Sequence, residues 1–258
     1  MEFNFLSTKE AAIKHGVTER WIQQLCKDGK IEGARRLGKT GVWLIPEGWK
    51  KDNKKKSVRC TMVENVMVID AKTLNTICGE NSDAVIPVEK NDFLKMIDKE
   101  HKFLPRDIVE VDRAYKQIVS YCLIVNEDNV YLTRRTPKQT EKRLHNRFSV
   151  GIGGHINLVD CKSTDILTAG MLRELFEEVD IRCEYSFDFY GIINDNSTEV
   201  NSVHTGACYI IRLKKRDCTI KETEKMTGLW INKDEINKYI DNMEGWSKIF
   251  ISSYFGVN

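Results

Sequence analysis

Apolar and polar positions divide this chain into a short helical head and a longer body in which strand-like runs alternate with turns. In the head, Ser7-Thr-Lys-Glu10 fits a capping box, where the Ser7 hydroxyl and the Glu10 carboxylate each satisfy an orphan amide of a first helical turn. The helix it opens carries Ala11, Ala12 and Ile13 and should stop at Gly16, a residue free to take the left-handed conformation of a helix end. Thr18 then caps a second helix from Glu19 to about Lys27, ended by Gly29. Its apolar stripe is Trp21, Ile22 and Leu25, and Glu19, Arg20, Gln23, Gln24 and Lys27 face outward. Two short helices joined by so tight a turn, with a small Ala12 at their crossing, make a helix-turn-helix. Ala34-Arg-Arg-Leu37, the turn Gly38-Lys-Thr-Gly41 and Val42-Trp-Leu-Ile45 then predict a basic hairpin, or wing.

In the body, strands are predicted at Val66–Asp70, Ala84–Val88, Gln117–Val125, Val130–Thr133 and Phe148–Gly151, with Glu127-Asp-Asn129 as a hairpin turn. Asn91 to Lys99 reads as a helix. A further helix begins near Ser163-Thr164-Asp165, with Leu172, Leu175, Phe176 and Val179 as its buried face. The closing segment, Lys233 to Phe250, reads as a helix packed over the sheet with Ile236, Tyr239 and Ile240 inward; Trp230 and Trp246 read as core. Lys50-Lys51-Asp-Asn-Lys-Lys-Lys56 lacks apolar periodicity and is the predicted joint. The domains expected are 1–50, a basic linker at 51–60, and 61–258.

Charge sharpens that division. The net charge of +2 hides 13 Lys/Arg against 7 Asp/Glu in residues 1–56, and 27 against 31 in the remainder. A basic head on an acidic body suggests two modules with different partners. With 41% hydrophobic and 30% charged residues and only 4 Pro, the 258-residue chain is neither disordered nor collagenous. Its longest apolar runs, such as Tyr121 to Val125, fall far short of the ~20 residues a membrane span needs, so no membrane partner is expected. The first residues, Met1 to Phe5, lack the pattern of a secretory signal. None of the eight cysteines forms a CxxC pair, which gives no sign of a zinc ribbon or redox motif; a cytoplasmic location with reduced thiols is the expectation.

On the head, Arg20, Gln23, Gln24 and Lys27 suit a recognition helix, since amide and guanidinium groups read base edges. Arg35, Arg36 and Lys39 are placed to neutralise phosphates. Through Ser7-Thr-Lys-Glu-Ala-Ala12, Gly16-Val-Thr18, Trp21-Ile22 and Gly41-Val-Trp-Leu-Ile-Pro46 the stretch from about 4 to 50 resembles the excisionase/MerR-type winged helix-turn-helix family, which implies DNA as partner. The alternative is a small basic module for protein docking. A single copy holds DNA weakly, so a homodimer is expected.

On the body, Glu174, Glu177 and Glu178 share one face of a helix near its C-terminus, where the macrodipole is already negative. Such a triplet is either a solvated acidic patch or a site for a hard divalent cation, which reverses the repulsion. The context, Gly153-Gly-His-Ile156 and then Arg173-Glu-Leu-Phe-Glu-Glu-Val-Asp-Ile181, resembles the Nudix box: glycine, five residues, glutamate, seven residues, Arg-Glu-apolar-x-Glu-Glu-x-Gly-apolar. Two departures stand out. Asp165 takes the place of the first glutamate, eleven residues beyond Gly154 rather than six, and Asp180 replaces the glycine after the helix.

The resemblance, extended by Arg143-Leu-His-Asn-Arg-Phe-Ser149 and Gly228-Leu-Trp-Ile231, implies an α+β chain: a small winged helix-turn-helix followed by a Nudix α/β/α sandwich with a mixed sheet. It implies that Glu174, Glu177 and Glu178, assisted by the Gly154 carbonyl, hold Mg²⁺ or Mn²⁺. It also implies that Arg173 braces the cluster by pairing with an acidic neighbour, Asp165 being the candidate. Glu178, Glu174 or Glu199 is the general base, and Arg134, Arg135, Arg143, His145 and Arg147 are candidates to grip substrate phosphates or are ordinary surface charge. His145 and His155 read as hydrogen-bonded loop residues, and no His/Cys spacing suggests zinc. The expected function is a metal-dependent pyrophosphohydrolase of a nucleoside diphosphate-linked small molecule, with a DNA-binding head. The alternatives are a transcriptional regulator that senses a nucleotide metabolite without turnover, or an interaction protein.

Overall fold

The computed structural model describes residues 5–15, 19–38, 41–50, 64–79, 83–136, 147–224 and 226–256. The chain divides into two compact units, Met1–Cys60 and Thr61–Asn258. The predicted linker at 51–60, Gly16, Thr18 and the side chain of Trp21 lie outside the described residues.

In the first unit the capping box forms: Ser7 N–H donates to Glu10 Oε2 at 2.8 Å and Glu10 N–H to Ser7 Oγ at 3.2 Å. It opens α1 (Thr8–His15), followed by α2 (Glu19–Lys27). Ala11, Ala12, Ile22, Cys26, Ile31 and Ile45 make this unit's core. Cys26, four residues beyond Ile22, shares the buried face of α2, and Leu25 is only half-buried. The predicted hairpin is a three-stranded sheet. Besides β2 (Arg35–Arg36) and β3 (Trp43–Pro46), a strand not expected from the sequence, β1 (Phe5–Ser7), pairs antiparallel with β3, giving the order β1-β3-β2.

The second unit is built on a mixed nine-stranded sheet. In chain order its elements are β4 (Asn65–Asp70), α3 (Ala71–Cys78), α4 (Lys90–Glu100), β5 (Lys102–Pro105), α5 (Arg106–Val109), β6 (Tyr115–Asn126), β7 (Asn129–Arg135), β8 (Phe148–Ser149) and β9 (Gly151–Ile152). They continue with α6 (Ile166–Glu178), β10 (Val179–Ile181), β11 (Tyr185–Ile193), α7 (Glu199–Ser202), β12 (His204–Leu213), β13 (Cys218–Ile220), β14 (Met226–Asn232) and α8 (Gly245–Phe255). The sheet runs β11-β12-β6-β4-β5, with β7 and β9 also paired to β6, β8 and β14 paired to β7, and β10–β13 a separate ribbon. Among the described strands only β12 and β6 pair in parallel, with His204 opposite Gln117.

Helices cover both faces of this sheet, which explains the unbroken apolar run in β6. Ile118, Cys122 and Ile124 face one core with Leu74, Phe93, Ile97, Leu167, Met171 and Leu175 of α3, α4 and α6. Tyr121, Leu123 and Val125 face the other core with Phe250 and Ile251 of α8. Each fully buried Leu or Ile contributes about 1.5–3 kcal/mol.

Four predicted elements change. Phe148–Gly151 is not one strand: β8 pairs with β7 and β9 with β6, and buried Val150 at the switch donates its amide to Ser247 Oγ. Ala84–Val88 contributes a single bridge, Ile86 to Ile192, because Pro87 removes the next ladder donor. The buried face of α6 is Ile166, Leu167, Gly170, Met171 and Leu175, with Leu172 and Phe176 half-buried, and Val179 already belongs to β10. The closing segment is two 3₁₀ turns, Lys233–Lys238 and Ile240–Asn242, and then α8. The Asn232 side chain caps the first of these turns by accepting the Asp234 amide at 3.0 Å. Among the described residues no helix is long and apolar enough to cross a membrane.

Candidate active site

A cavity of about 990 Å³ opens in the second unit where the loop after β9, the last turns of α6 and the start of α8 converge. Its floor is the Gly-rich segment and the carboxylate face of α6. Glu174 is largely buried and Glu178 half-buried, while Glu177 is 59% exposed at the rim. Gly154 lies so close to Glu174 that a Cβ there would stand 2.3 Å from Glu174 Oε2, so only glycine admits that approach.

Arg173 organises the cluster. Its Nε and Nη2 donate to Asp160 Oδ1 and Oδ2, both at 2.9 Å, in a bidentate pair, and its Nη1 reaches Glu174 Oε1 at 2.6 Å. Nη2 also donates to the His155 carbonyl at 2.9 Å. The hydrogen bonds it donates to Asp160, then that to Glu174, hold the guanidinium charged well above its ordinary range. The partner expected from the sequence was Asp165, and the structure corrects this. Asp160 sits six residues beyond Gly154, the spacing of the family pattern, and is only 4% exposed. It lies on a 3₁₀ turn, Leu158–Lys162, where its carboxylate also accepts the Asn157 amide at 2.8 Å in a capping box. Gly170 of α6 provides the room, since a Cβ there would meet Asp160 Oδ2 at 2.9 Å. Asp165 instead caps α6 through the Thr168 amide and pairs with Lys90 of α4. The five extra residues therefore lie after the first acid of the box, not before it. The Asn157-x-x-Asp160 spacing was the available signal.

The other departure is harmless. Val179 has φ −126° and ψ 152°, so α6 passes directly into β10 without a left-handed residue, and Asp180 replaces a glycine that this backbone does not need. The Gly154 carbonyl, expected to assist the metal, accepts the Ser120 amide at 2.9 Å and the Ser120 hydroxyl at 3.3 Å.

Burial pushes Glu178 up to about 7, the Arg135 charge opposing and Glu174 adding to the shift. Burial likewise raises Glu174, against the pull of Arg173. At both carboxylates burial outweighs the pull of the nearby positive charge, and their donor set is hard oxygen. Both facts fit a divalent cation of the Mg²⁺ or Mn²⁺ kind.

Of the arginines proposed for phosphate, Arg135 and Arg147 line the cavity; Arg135 pairs with Glu244 at 2.7 Å and Arg147 reaches the Met243 carbonyl at 3.5 Å. Arg134 does not line it. One residue along the strand, it is exposed and its guanidinium lies 5.7 Å from the Phe148 ring centre. Arg143 and His145 lie outside the described residues. Glu199 is exposed and absent from the lining, which takes Ser197, Thr198, Val200 and Asn201 from that loop instead. Glu64, Arg106, His204, Glu244 and Trp246 complete the wall and had no motif to announce them. Trp246 also packs edge-on against Tyr121, so it is both core and wall.

In the first unit Arg20, Gln23, Gln24 and Lys27 are exposed on α2, with Gln23 and Gln24 donating to Glu19 and Asp28. Arg35 and Arg36 are exposed on β2, their guanidinium groups 5.9 Å from the ring centres of Phe5 and Trp43. Lys39 lies outside the described residues.

No family model matches the chain. It is similar to protein YmaB of Bacillus subtilis (strain 168), 30% identical over 167 residues that span 62% of this chain and 81% of that protein. Among solved structures it is similar to Tm1382, assigned as a Nudix hydrolase, with a TM-score of 0.62 and 33% identity over 72% of this chain and 95% of Tm1382.

Proposed function

We infer that this chain, which belongs to the Nudix superfamily and is a Nudix-type pyrophosphohydrolase acting on phosphoanhydride bonds, does its work in the cavity of its second unit. We propose that it cleaves the diphosphate linkage of a nucleoside diphosphate derivative in the cavity of its second unit, using Mg²⁺ or Mn²⁺ held by Glu174, Glu177 and Glu178. The observation that carries this reading is the Asp160–Arg173–Glu174 brace, which aims desolvated carboxylates into a cavity also lined by Arg135 and Arg147. Held by Glu174, Glu177 and Glu178, such a cation would supply charge to screen the phosphates and would make a water more acidic.

The side chains divide the remaining work. Arg147 and Arg135 draw the negatively charged phosphates to the wall opposite α6. Arg173 keeps Glu174 from swinging into solvent. The water oxygen bonds to one phosphorus, the bridging P–O bond breaks towards the other phosphate, and the water's proton passes to a carboxylate of the cluster, Glu178 or Glu174.

The test is turnover of a panel of diphosphate compounds by the full-length chain with Mg²⁺ or Mn²⁺, beside Glu177→Gln. Hydrolysis lost in the variant supports the reading, and equal metal-dependent turnover refutes the metal assignment. For the first unit, the exposed amides and cations of α2 with Arg35 and Arg36 support DNA binding, by a homodimer. Arg20→Ala with Gln24→Ala should weaken retention of DNA and leave hydrolysis unchanged; a parallel fall in both would remove the two-module division.

A further inference from the structure

Beside the carboxylate cluster, three side chains from distant parts of the chain meet. Glu110 ends α5, His155 follows Gly154, and His204 opens β12. One ligand-capable atom from each lies within 4.8 Å of the others, and both histidines are buried. The two Nε2 atoms face each other at 3.2 Å. Two imidazole nitrogens bound about 2.0–2.1 Å from a tetrahedral ion stand about 3.3 Å apart, so the side chains already have the spacing of shared ligation.

The surroundings set the donors. His204 Nδ1 lies 2.7 Å from the Val200 carbonyl, an acceptor that fixes the proton on Nδ1 and leaves Nε2 with its lone pair. On the third ligand, Arg106 Nε donates to Glu110 Oε1 at 3.0 Å, orienting that carboxylate, while its Nη1 pairs with Glu64. The positive charge nearest the histidines is therefore already matched by two carboxylates. His155 and His204 line the cavity.

We propose that Glu110, His155 and His204 form a second divalent-metal site, selective for a borderline transition ion of the Zn²⁺ class and distinct from the all-carboxylate site on α6. Two imidazoles and one carboxylate favour such an ion over Mg²⁺, which prefers oxygen and its own waters. Three protein ligands leave a fourth position, which opens to the cavity and accepts water or a phosphate oxygen.

The test is a Co²⁺ titration of the metal-stripped full-length chain, followed by visible absorption in excess Mg²⁺ to keep the carboxylate cluster filled. The expected result is one equivalent of Co²⁺ giving the intense bands of a four-coordinate ion, and their loss on adding one equivalent of Zn²⁺. His204→Ala should abolish the bands. Glu110→Gln, at a half-exposed position with little risk to folding, should weaken binding at least as much as loss of a supporting group does, about ten- to a hundredfold. Glu177→Gln should leave the spectrum intact, which separates this site from the one on α6. The proposal is overturned if excess Mg²⁺ abolishes the bands, if no bands arise, or if Glu110→Gln and His204→Ala both retain them. In the second case the two imidazoles simply hydrogen-bond to each other.

Discussion

Replacing Asp160 by Asn removes the charge from an almost fully buried carboxylate while keeping its size. Asp160 accepts two hydrogen bonds from Arg173 and one from the Asn157 amide, and an amide side chain offers a single accepting oxygen in their place. Removing one partner of a buried ion pair destabilises by about 3–5 kcal/mol. Arg173 retains Glu174 and the His155 carbonyl and is 22% exposed, which favours the lower end, about 3 kcal/mol. For a unit of this size that lowers the melting temperature by about 6–12 °C. Released from Asp160, Arg173 can follow Glu174 instead of anchoring it, and a displacement of about 1 Å at a reacting group reduces turnover by up to about a hundredfold. Asp165→Asn makes the comparison sharp. Asn caps a helix as well as Asp, so that variant loses only the exposed-side pair with Lys90, about 0.5–1 kcal/mol, and keeps its turnover. Calorimetry of both variants, combined with kcat on any hydrolysed diphosphate, decides the matter. If Asp165→Asn impaired turnover and Asp160→Asn did not, the assignment of the brace would be wrong.

Three further outcomes are expected. Gly154→Ala should displace the Glu174 carboxylate, since the new methyl would stand 2.3 Å from it, and so reduce metal-dependent kcat with little change in DNA retention. Glu178→Gln deletes a charge that burial disfavours, so without divalent cation at neutral pH the second unit should melt higher by about 1–3 kcal/mol of stability while losing the stabilisation by Mg²⁺; a lower melting point would show that Arg135 already balances that charge. Lys116, only 2% exposed and donating to Asn196 Oδ1 and the Asn201 carbonyl, is pushed down to about 8 by burial. Between there and its unfolded value near 10.4 the unfolded chain binds more protons, so this group makes stability rise with pH over that window, by up to about 3 kcal/mol; urea unfolding of wild type against Lys116→Met should show the difference, and parallel pH profiles would refute it.

Local chemistry was legible wherever neighbours in sequence are partners in space. The Ser7–Glu10 capping box, the strands either side of Glu127-Asp128, and the arginine-flanked glutamates of α6 all follow from spacings of a few residues. Legibility ends where the partner comes from elsewhere. β1 needs β3, some forty positions on, to become a strand, and three residues of Phe-Leu-Ser give no alternation to see. The phase of α6 was misread because its core side is widened by Gly170, which packs against Ile156 and Asp160 without any apolar side chain of its own. His155 and His204 carry no shared motif, and it is the β6 ladder that sets them side by side: Val119 bridges to His155 and Gln117 pairs with His204.

The misassigned aspartate shows why the extra five residues matter. Two duties fall to acids in this stretch, bracing Arg173 and capping α6. Here the two duties are separated. Asp160, on its own 3₁₀ turn, gives both carboxylate oxygens to Arg173, and Asp165, freed from that task, caps α6 and ties it to Lys90 at the start of α4. Helix α4 packs Phe93 and Ile97 into the same core as Leu167, Met171 and Leu175. The Lys90 ammonium also lies 5.9 Å from the ring centre of buried Tyr209 on β12, the strand that His204 opens. The extra residues therefore couple the N-terminal end of α6 to a helix and a strand that share its core. Of its C-terminal carboxylates, Glu174 and Glu177 pair with Arg173 and Glu178 feels the charge of Arg135, so the charge that positions Glu174 can be altered without touching the cap of the helix that carries it.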